Sequence, residues 1–400
     1  MARSIAVGID IGTHQIKVVV AELAPEKDKE VPRIIATGYA ESKGLRHGYI
    51  TNVAEAAKSI RTAIAQAEKS AGIRIRKAYL AVGGAGLSGV TNIGTVLITK
   101  NDSEITDADV KKALESSENE LPESFTLNRK ILHTIPLMFR VDGRTVLGKP
   151  QGMKGSKLEV RTLFVTCLSH HLSDLVKALG EADVEIEDVI AAPLATSFVT
   201  LTKTQKIAGC VLANIGAETV SIIVFENNIP VSVEVFSIGS NDITNDIALG
   251  LKISIEDAEL IKLGGPKSVQ YPKKKLDEII LARLSDIFEL IEGHLKKIER
   301  SGLLPAGIII TGGGSGVTNI EEFARISLKL PSKKASFKFP VPLKGSFREA
   351  EWAVAYGLCL VGLTSEDNDI TSLRPGTSAI SKVGLKIWPS LKRLFAQLLP

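Results

Sequence analysis

A run near the start of the sequence combines a carboxylate, a hydroxyl and a lysine around one glycine. The run spans Gly8–Val20 (GIDIGTHQIKVVV), and its apolar residues, interrupted by Gly12 and Thr13, predict a strand, a tight turn and a second strand. Gly12 lets the backbone approach a ligand, and the amide and hydroxyl of Thr13 can donate to phosphate oxygens. Asp10 can hold the water shell of Mg²⁺, and Lys17 can reach a phosphate as a point charge. An ordinary hairpin with a structural aspartate has the same pattern, so the motif needs support from elsewhere.

A second copy of this pattern lies about 200 residues further along the chain. Gly209–Phe225 (GCVLANIGAETVSIIVF) predicts a strand, a turn over 214–219 and another strand. A third element follows at Gly307–Thr311 (GIIIT), an apolar run that ends in Gly312, Gly313 and Gly314. Glycines there let the backbone approach a base and an α-phosphate, although a flexible turn is the alternative. Two phosphate-type hairpins predict a duplicated lobe with a nucleotide between the copies.

The composition excludes several classes of protein. The chain has 400 residues, of which 44% are hydrophobic and 24% charged, enough for a core in two lobes or more. A net charge of +4 and an aromatic content of 5% argue against a nucleic-acid partner. Asp10 interrupts the apolar run at the start, so a signal peptide is not expected, and no run approaches the roughly 18 apolar residues of a spanning helix. The cysteines lie far apart and predict neither a disulfide framework nor a zinc site, which suits a reducing cytoplasm; they are Cys167, Cys210 and Cys359.

The elements that must position these turns follow an α/β pattern. A strand meander leads into a helix over Val53–Gly72 and a strand over Arg76–Gly83. Residues 84–161 then predict a small inserted α+β unit, with a glycine-rich turn from Gly84 to Gly94, a helix and two strands. Further helices are predicted at Asp107–Asn119 in the insert and, later, at Asp242–Leu251, Ile255–Leu263, Leu276–Ser301 and Glu349–Leu363.

The last 37 residues differ in composition from the rest of the chain. Residues 364–381 are polar and predict a linker, whereas residues 382–400 (KVGLKIWPSLKRLFAQLLP) carry basic and apolar residues and no acid. A helix over Pro389–Leu399 would be about 16 Å long, too short to span a bilayer but able to lie in its interface. A helix docked on the protein's own surface is the alternative. The residues expected to meet the membrane are Ile387, Trp388, Leu391, Lys392, Arg393, Leu394, Phe395 and Leu398.

Together the three turns resemble the phosphate-one, phosphate-two and adenosine motifs of the actin-like ATPase superfamily. Within it the chain resembles the FtsA family of bacterial cell-division proteins. The insert follows the strand after which that family carries its own subdomain, and Arg129–Pro136 and Gly148–Gly155 are similar to that subdomain's sequence. Ser237–Ile247 is similar to the family's loop and helix after the second hairpin, and Ala258–Lys262 to its adenosine-side helix. The resemblance extends over nearly the whole chain.

The resemblance implies an α/β fold of the actin-like type, a duplicated ribonuclease-H-like ATPase fold with two lobes and a small α+β subdomain inserted in the first. It also implies ATP and Mg²⁺ as ligands, with Asp10 holding the metal through water and Glu259 and Lys262 meeting ribose and adenine. The expected segments are 1–83, 163–206 and 346–363 for the first lobe, 84–162 for the insert, 207–240 and 300–345 for the second lobe, 241–299 for its subdomain 2B, 364–381 for the linker and 382–400 for the membrane helix. The residues expected to bind the nucleotide are Asp10, Gly12, Thr13, His14, Gln15, Lys17, Asn214, Gly216, Ala217, Glu218, Thr219, Gly239, Glu259, Lys262, Gly312, Gly313 and Gly314.

The function that the resemblance implies is that of a polymerising membrane adaptor in cell division. Such a protein would tether a ring of the tubulin-like FtsZ to the cytoplasmic face of the cell membrane at the septum and help recruit the divisome. The implied partners are the FtsZ C-terminal peptide, further copies in a protofilament, anionic lipid, and other divisome proteins through the insert, with no nucleic acid. Arg283 lies in a segment similar to a partner-binding helix of the family.

One position departs from the family pattern and keeps alternatives open. The second phosphate loop of the family normally begins with Asp, whereas this chain has Asn214, which can hydrogen-bond a metal-bound water but cannot act as a base. Weak or absent ATP hydrolysis is therefore expected. A PilM-like protein of pilus assembly shares the fold but would lack the amphipathic tail. A sugar or acid kinase of the same superfamily would need a carboxylate base near the second hairpin.

Overall fold

The chain alternates strands and helices in the order that the sequence pattern predicts. The computed structural model describes residues 4–26, 29–99, 102–264, 271–337 and 349–366. The strands, in chain order, are β1 (Ile5–Ile11), β2 (Gln15–Glu26), β3 (Lys29–Glu41), β4 (Leu45–Arg46), β5 (Tyr49–Ile50), β6 (Lys77–Val82), β7 (Ser88–Leu97), β8 (Arg129–Val141), β9 (Arg144–Val146), β10 (Lys157–Leu168), β11 (Glu185–Ala191), β12 (Cys210–Ile215), β13 (Val220–Glu226), β14 (Ile229–Phe236), β15 (Ile308–Thr311) and β16 (Ser332–Lys334). The α-helices are α1 (Val53–Ala71), α2 (Asp107–Asn119), α3 (Ser169–Glu181), α4 (Ala192–Thr200), α5 (Lys203–Ala208), α6 (Ser240–Leu251), α7 (Ile255–Lys262), α8 (Lys273–Lys297), α9 (Ile320–Leu328) and α10 (Ala353–Glu366).

Two sheets repeat one topology, which confirms the predicted duplication. The first sheet has the strand order β11-β6-β1-β2-β3. The second contains the equivalent order β16-β15-β12-β13-β14. In both, an antiparallel meander is followed by strands parallel to the first strand of that meander. The central strands β1 and β12 therefore end at equivalent edges, and each leads directly into one of the two predicted phosphate turns.

Strand β2, which leaves the first of these turns, is buried on both faces. Val18, Val19 and Val20 of β2 are all 0% exposed, because α1 and α10 cover opposite faces of the sheet. Glycines permit the closest approach of α10: a Cβ on Gly8 of β1 would overlap the carbonyl oxygen of Ala355 in that helix. This packing fixes the end of β1, and with it the first phosphate turn.

The insert is a small layered unit with its own core. Helix α2, which matches the predicted span, packs on β7 and β10 around residues such as Leu114 and Leu158. The prediction of a glycine-rich turn as far as Gly94 was wrong, because β7 begins at Ser88. Gly94 lies in the strand, where a Cβ would overlap the Ala113 carbonyl oxygen of α2, so the glycine permits close packing. One bridge, Glu234 to Ser88, joins β14 to β7 and makes the second sheet continuous with the insert.

The last described helix returns to the first lobe, as predicted. A Cβ on Gly357 of α10 would overlap the Ala195 carbonyl oxygen of α4, so these helices also pack closely. Helix α10 continues to Glu366, into the first three positions of the expected linker (364, 365 and 366). The expected membrane helix, residues 382–400, lies outside the described residues. Within the described part of the chain, no helix combines the length and apolar character needed to cross a bilayer.

Candidate functional site

The first phosphate turn joins β1 to β2 and carries a charged pair. Asp10 and Lys17 are direct partners in the strand register, so their side chains lie on the same face of the sheet. The turn is tight at Gly12, where a Cβ would lie 2.9 Å from the Gln15 carbonyl oxygen. The hydroxyl of Ser42 donates to the Gly12 carbonyl oxygen (2.5 Å) and holds the turn from outside.

The carboxyl of Asp10 lies where a negative charge is costly. Burial raises its pKa from 3.8 to about 6, and the positive charge of Lys17 opposes this only in part. Lys17 itself is 9% exposed. A partly buried carboxylate with incomplete compensation fits a bound cation, because a nearby positive charge stabilises the ionised form. The residues present therefore suit a hydrated Mg²⁺.

The second phosphate turn joins β12 to β13 and carries a neutral pair at the equivalent position. Asn214 is the register partner of Ser221, as Asp10 is of Lys17. The turn is closed by the Gly216 amide, which donates to the Thr219 carbonyl oxygen (2.8 Å). This turn therefore presents amide and hydroxyl groups near the strand end, without the charges of the first.

The start of α6 is attached directly to the second turn. The amides of Ser240 and Asn241 donate to the carbonyl oxygens of Gly216 (2.9 Å) and Ala217 (2.8 Å). Gly239 is required for this approach, because a Cβ there would overlap the Ala217 carbonyl group. Two of the predicted residues, Gly216 and Gly239, are thus brought together by backbone contacts.

The three glycines after β15 have different roles. Gly312 has φ +87°, and a Cβ there would overlap the side-chain oxygen of Asn214. A Cβ on Gly314 would overlap the Ile215 side chain. A Cβ on Gly313 would make only ordinary contacts, the nearest with Glu351 Oε1 at 3.7 Å. Packing on the second turn therefore accounts for two of the glycines, and Gly313 is the one that could expose its backbone to a ligand.

Glu259 and Lys262 of α7 form an ion pair at 2.5 Å, but their exposure differs. The Lys262 side chain is 1% exposed, and its Nζ also donates to the Ser240 carbonyl oxygen (3.1 Å) and to Thr244 Oγ1 (2.8 Å). The Glu259 side chain is 44% exposed. Of the two residues expected to meet ribose and adenine, Glu259 alone is thus accessible, with Lys262 holding it in place.

Groups from both lobes shift the pKa of Glu259. Burial acts to raise its pKa, but the hydrogen bonds from Lys262 and Thr244 outweigh this, and the pKa lies below its usual value. The charge of His14 contributes to the lowering, so the tip of the first turn lies near α7. His14 is exposed at that tip, and Gln15 follows it at the start of β2.

A contact between the lobes was not anticipated from the sequence. The amide of His47, between β4 and β5, donates to Glu218 Oε2 at 2.5 Å. The next amide, of Gly48, donates to Thr13 Oγ1 at 3.0 Å. The turn at His47 thus touches both phosphate turns. Gly44 and Gly48 mark a turn in the sequence, but nothing in the sequence indicates what that turn meets.

The predicted partner residue, Arg283, lies on α8 and pairs with acidic residues of α6 and of its own helix. Its Nε pairs with Asp246 of α6 at 2.7 Å and its Nη1 with Asp286 at 3.2 Å. Burial acts against the charge, but the hydrogen bond to Asp246 is the larger influence and raises the pKa of Arg283. Arg283 thus joins α6 to α8 while keeping 30% of its side chain exposed.

Two solved structures have a fold similar to that of this chain. The chain of a PilM-PilN type IV pilus biogenesis complex matches with a TM-score of 0.65 and 19% identity, covering 90% of this chain and 98% of that one. MreB5 of Spiroplasma citri bound to ADP matches with a TM-score of 0.52 and 14% identity, covering 91% and 98%. At these identities the likeness shows the fold alone, which is the predicted actin-like one with two lobes.

Sequence relatives and family models identify one family. FtsA of Pseudomonas aeruginosa is 27% identical over 93% of this chain and 92% of its own length. FtsA of Bacillus subtilis is 30% identical over 82% of this chain and 78% of its own. The family model for the SHS2 domain inserted in FtsA matches residues 84–166, where the structure has β7 to β10. The model for cell division protein FtsA matches residues 211–371, and the chain therefore belongs to the FtsA family of cell-division proteins.

Proposed function

We propose that this protein is an ATP-binding, polymerising adaptor that tethers the FtsZ ring to the cytoplasmic face of the cell membrane at the septum. The observation that carries the proposal is the convergence of two equivalent hairpins and a glycine turn at one cleft, in a chain of the FtsA family. The inserted unit is then a surface for other divisome proteins, and further copies of the chain add in a protofilament.

The nucleotide would be held by groups that the fold brings together. Thr13, Lys17 and the amides of both turns suit the phosphates, and the open backbone at Gly313 and the exposed carboxylate of Glu259 suit the nucleoside. Asp10 suits Mg²⁺ through water, and that cation would neutralise phosphate charge when bound. Asn214 stands where the first turn has its carboxylate, and an amide cannot accept a proton from water. We therefore expect tight binding with slow turnover.

The membrane part of the proposal depends on residues 382–400, which lie outside the described residues. Their apolar side chains favour insertion, and each basic residue adds roughly 1 kcal/mol near anionic lipid. Deleting 382–400 should leave a folded chain that binds ATP but no longer sediments with vesicles containing phosphatidylglycerol. Trp388→Glu should act almost as strongly, with Trp388→Phe as the matched control that retains binding. A truncated chain that still sediments with vesicles would exclude this anchor.

Fluorescence and salt separate the two contributions to membrane binding. Trp352 is 3% exposed and already buried in the protein, so a blue shift on adding vesicles would report Trp388. Raising the salt concentration should weaken binding without abolishing it, because screening removes the charge contribution and leaves the apolar one. Complete loss in high salt would instead indicate a purely electrostatic attachment.

The partner part of the proposal is tested with the C-terminal peptide of FtsZ. A pulldown should retain the full chain, and Arg283→Ala should reduce retention because it removes an accessible guanidinium between α6 and α8. Lys274→Ala is the matched control, since Lys274 lies on the same helix with its side chain 92% exposed. Equal loss in both variants would point to general charge attraction, and no loss in either would place the peptide elsewhere.

A further inference from the structure

The connection between β4 and β5 is a turn whose two amides face away from its own strands. Leu45 pairs with Ile50 and Arg46 with Tyr49, so His47 and Gly48 form a two-residue loop. Both have positive φ, +48° and +80°, as the type I′ hairpin turn requires. Backbone amides need partners outside such a turn.

The partners of these two amides come from different lobes. The His47 amide donates to the carboxylate of Glu218, on the second phosphate turn, and the Gly48 amide donates to the hydroxyl of Thr13, on the first. His47 Nδ1 lies 3.3 Å from the Glu218 carbonyl oxygen, which can only accept, so this nitrogen is the donor. The turn therefore joins the tips of both phosphate turns.

These contacts bring a negative charge close to the first phosphate turn. Because the two donors are consecutive amides, the Glu218 carboxylate and the Thr13 hydroxyl are held side by side. Asp10, at the end of β1, adds a second carboxyl to the same turn. A polyphosphate held by both tips would meet the Glu218 carboxylate at short range, where like charges repel strongly in a partly buried cleft.

We propose that Glu218 is a latch that determines nucleotide specificity: its carboxylate is bound by the His47 turn and must be displaced by phosphate. The inference rests on the proposed nucleotide site. It adds that one residue of that site, Glu218, opposes binding. Because a triphosphate brings more charge to the tips than a diphosphate, the latch penalises ATP more than ADP. A chain with a neutral residue at this position would discriminate less.

The turn that holds Glu218, with Tyr49 next to it, also contacts both connections of the insert. A Cβ on Gly48 would lie 2.5 Å from the Cα of Gly84, where the chain enters the insert. The Tyr49 ring lies edge-on to His171 (4.9 Å between ring centroids) and stacks at 6.2 Å on His170, where the chain leaves it. Release of Glu218 would therefore weaken the contacts of the turn with the base of the insert as well as those with the cleft.

Calorimetry with MgATP and MgADP on the full chain tests the specificity. Glu218→Gln keeps the shape and removes the charge, so we expect about 5–10-fold tighter ATP binding and a smaller gain for ADP. Glu256→Gln removes an exposed acid of the same lobe and should change neither. Weaker or unchanged ATP binding in Glu218→Gln would overturn the proposal, because the carboxylate would then assist binding or have no part in it.

Hydrogen exchange tests the latch without any nucleotide. Glu218→Ala should speed exchange in peptides that cover 44–50, whereas Glu256→Ala should not. Unchanged exchange there would exclude the latch. If the wild-type chain bound neither ATP nor ADP, the proposed nucleotide site would fail, and the exchange result would still decide whether Glu218 holds the turn.

Discussion

The two phosphate turns share a backbone plan but place their charges differently. The first carries Asp10 opposite Lys17, and the second carries Asn214 opposite Ser221, at equivalent register positions. The carboxylate of the second turn is instead at its tip, on Glu218, where it contacts the other lobe. The strand end is thus charged in one copy and neutral in the other.

This difference indicates that packing constrains the backbone of the duplicated lobes more than the side chains at the strand ends. The strand order is the same in both lobes, and glycines recur where backbones meet, at Gly8 against the Ala355 carbonyl oxygen of α10 and at Gly312 against the Ile215 carbonyl oxygen. These backbone contacts do not require a charged side chain at the strand end, so the charge there can differ between the copies. We infer that the first turn binds the cation and the second contributes neutral hydrogen bonds.

The largest expected effect concerns the packing of the second turn. Gly312→Ala should lower the free energy of unfolding by about 2–4 kcal/mol, because a Cβ there overlaps backbone and Asn214 and φ is positive. Gly313→Ala is the matched control and should cost under about 1 kcal/mol, since a Cβ there would make only ordinary contacts with the Glu351 side chain. Urea denaturation measures both. Equal losses would show that the second turn does not depend on close contact at Gly312.

The next largest effect is on nucleotide affinity, which should depend more on the first turn than on the second. Asp10→Ala should weaken MgATP binding by about 10–150-fold, the range for loss of a charged hydrogen-bonding group. Asn214→Ala removes a neutral group at the equivalent position and should cost only about 2–10-fold. Calorimetry in Mg²⁺ and in EDTA measures both. If Asn214→Ala were the more damaging variant, the cation would belong to the second turn.

Much of this arrangement could be predicted from the sequence, because it is encoded locally. Alternating apolar residues around a glycine predict both hairpins, and apolar spacing predicts α2 over its observed span. The inserted unit is visible as a change in pattern near Gly84. The local prediction failed at β7, because Gly94, which suggests a turn, instead lets α2 approach the strand.

The remaining features depend on contacts between distant parts of the chain. Nothing near Lys262 indicates that α6 encloses its ammonium, so its burial could not be foreseen. The same holds for His47 and Glu218, which are 171 positions apart and meet only when both lobes are in place. Sequence patterns predicted Glu218 as a nucleotide contact but not its contact with the His47 turn.

The smallest expected effect is on the pH dependence of stability. Substitutions at the two turns should change the stability at pH 8 in opposite directions. Burial raises the pKa of Asp10 from 3.8 to about 6, so the folded state holds this proton more tightly than the unfolded chain. Its contribution to stability is therefore fully present below pH 3.8 and is lost as the pH rises through about 6. Asp10→Asn removes this loss and should stabilise the nucleotide-free chain at pH 8 by about 1–3 kcal/mol.

Asn214→Asp makes the converse change in the second turn. Its new carboxyl would face Ser221 rather than a lysine, so burial should destabilise the chain at pH 8 and less at pH 5, where more of the acid is protonated. Thermal unfolding of both variants and the wild type at the two pH values, without nucleotide, measures this. Adding MgATP should then stabilise the wild type more than Asp10→Asn, because loss of the carboxylate weakens binding of the cation and with it the nucleotide. If Asp10→Asn were no more stable than the wild type at pH 8, Lys17 would already compensate Asp10 fully, and the charged strand end would need no metal.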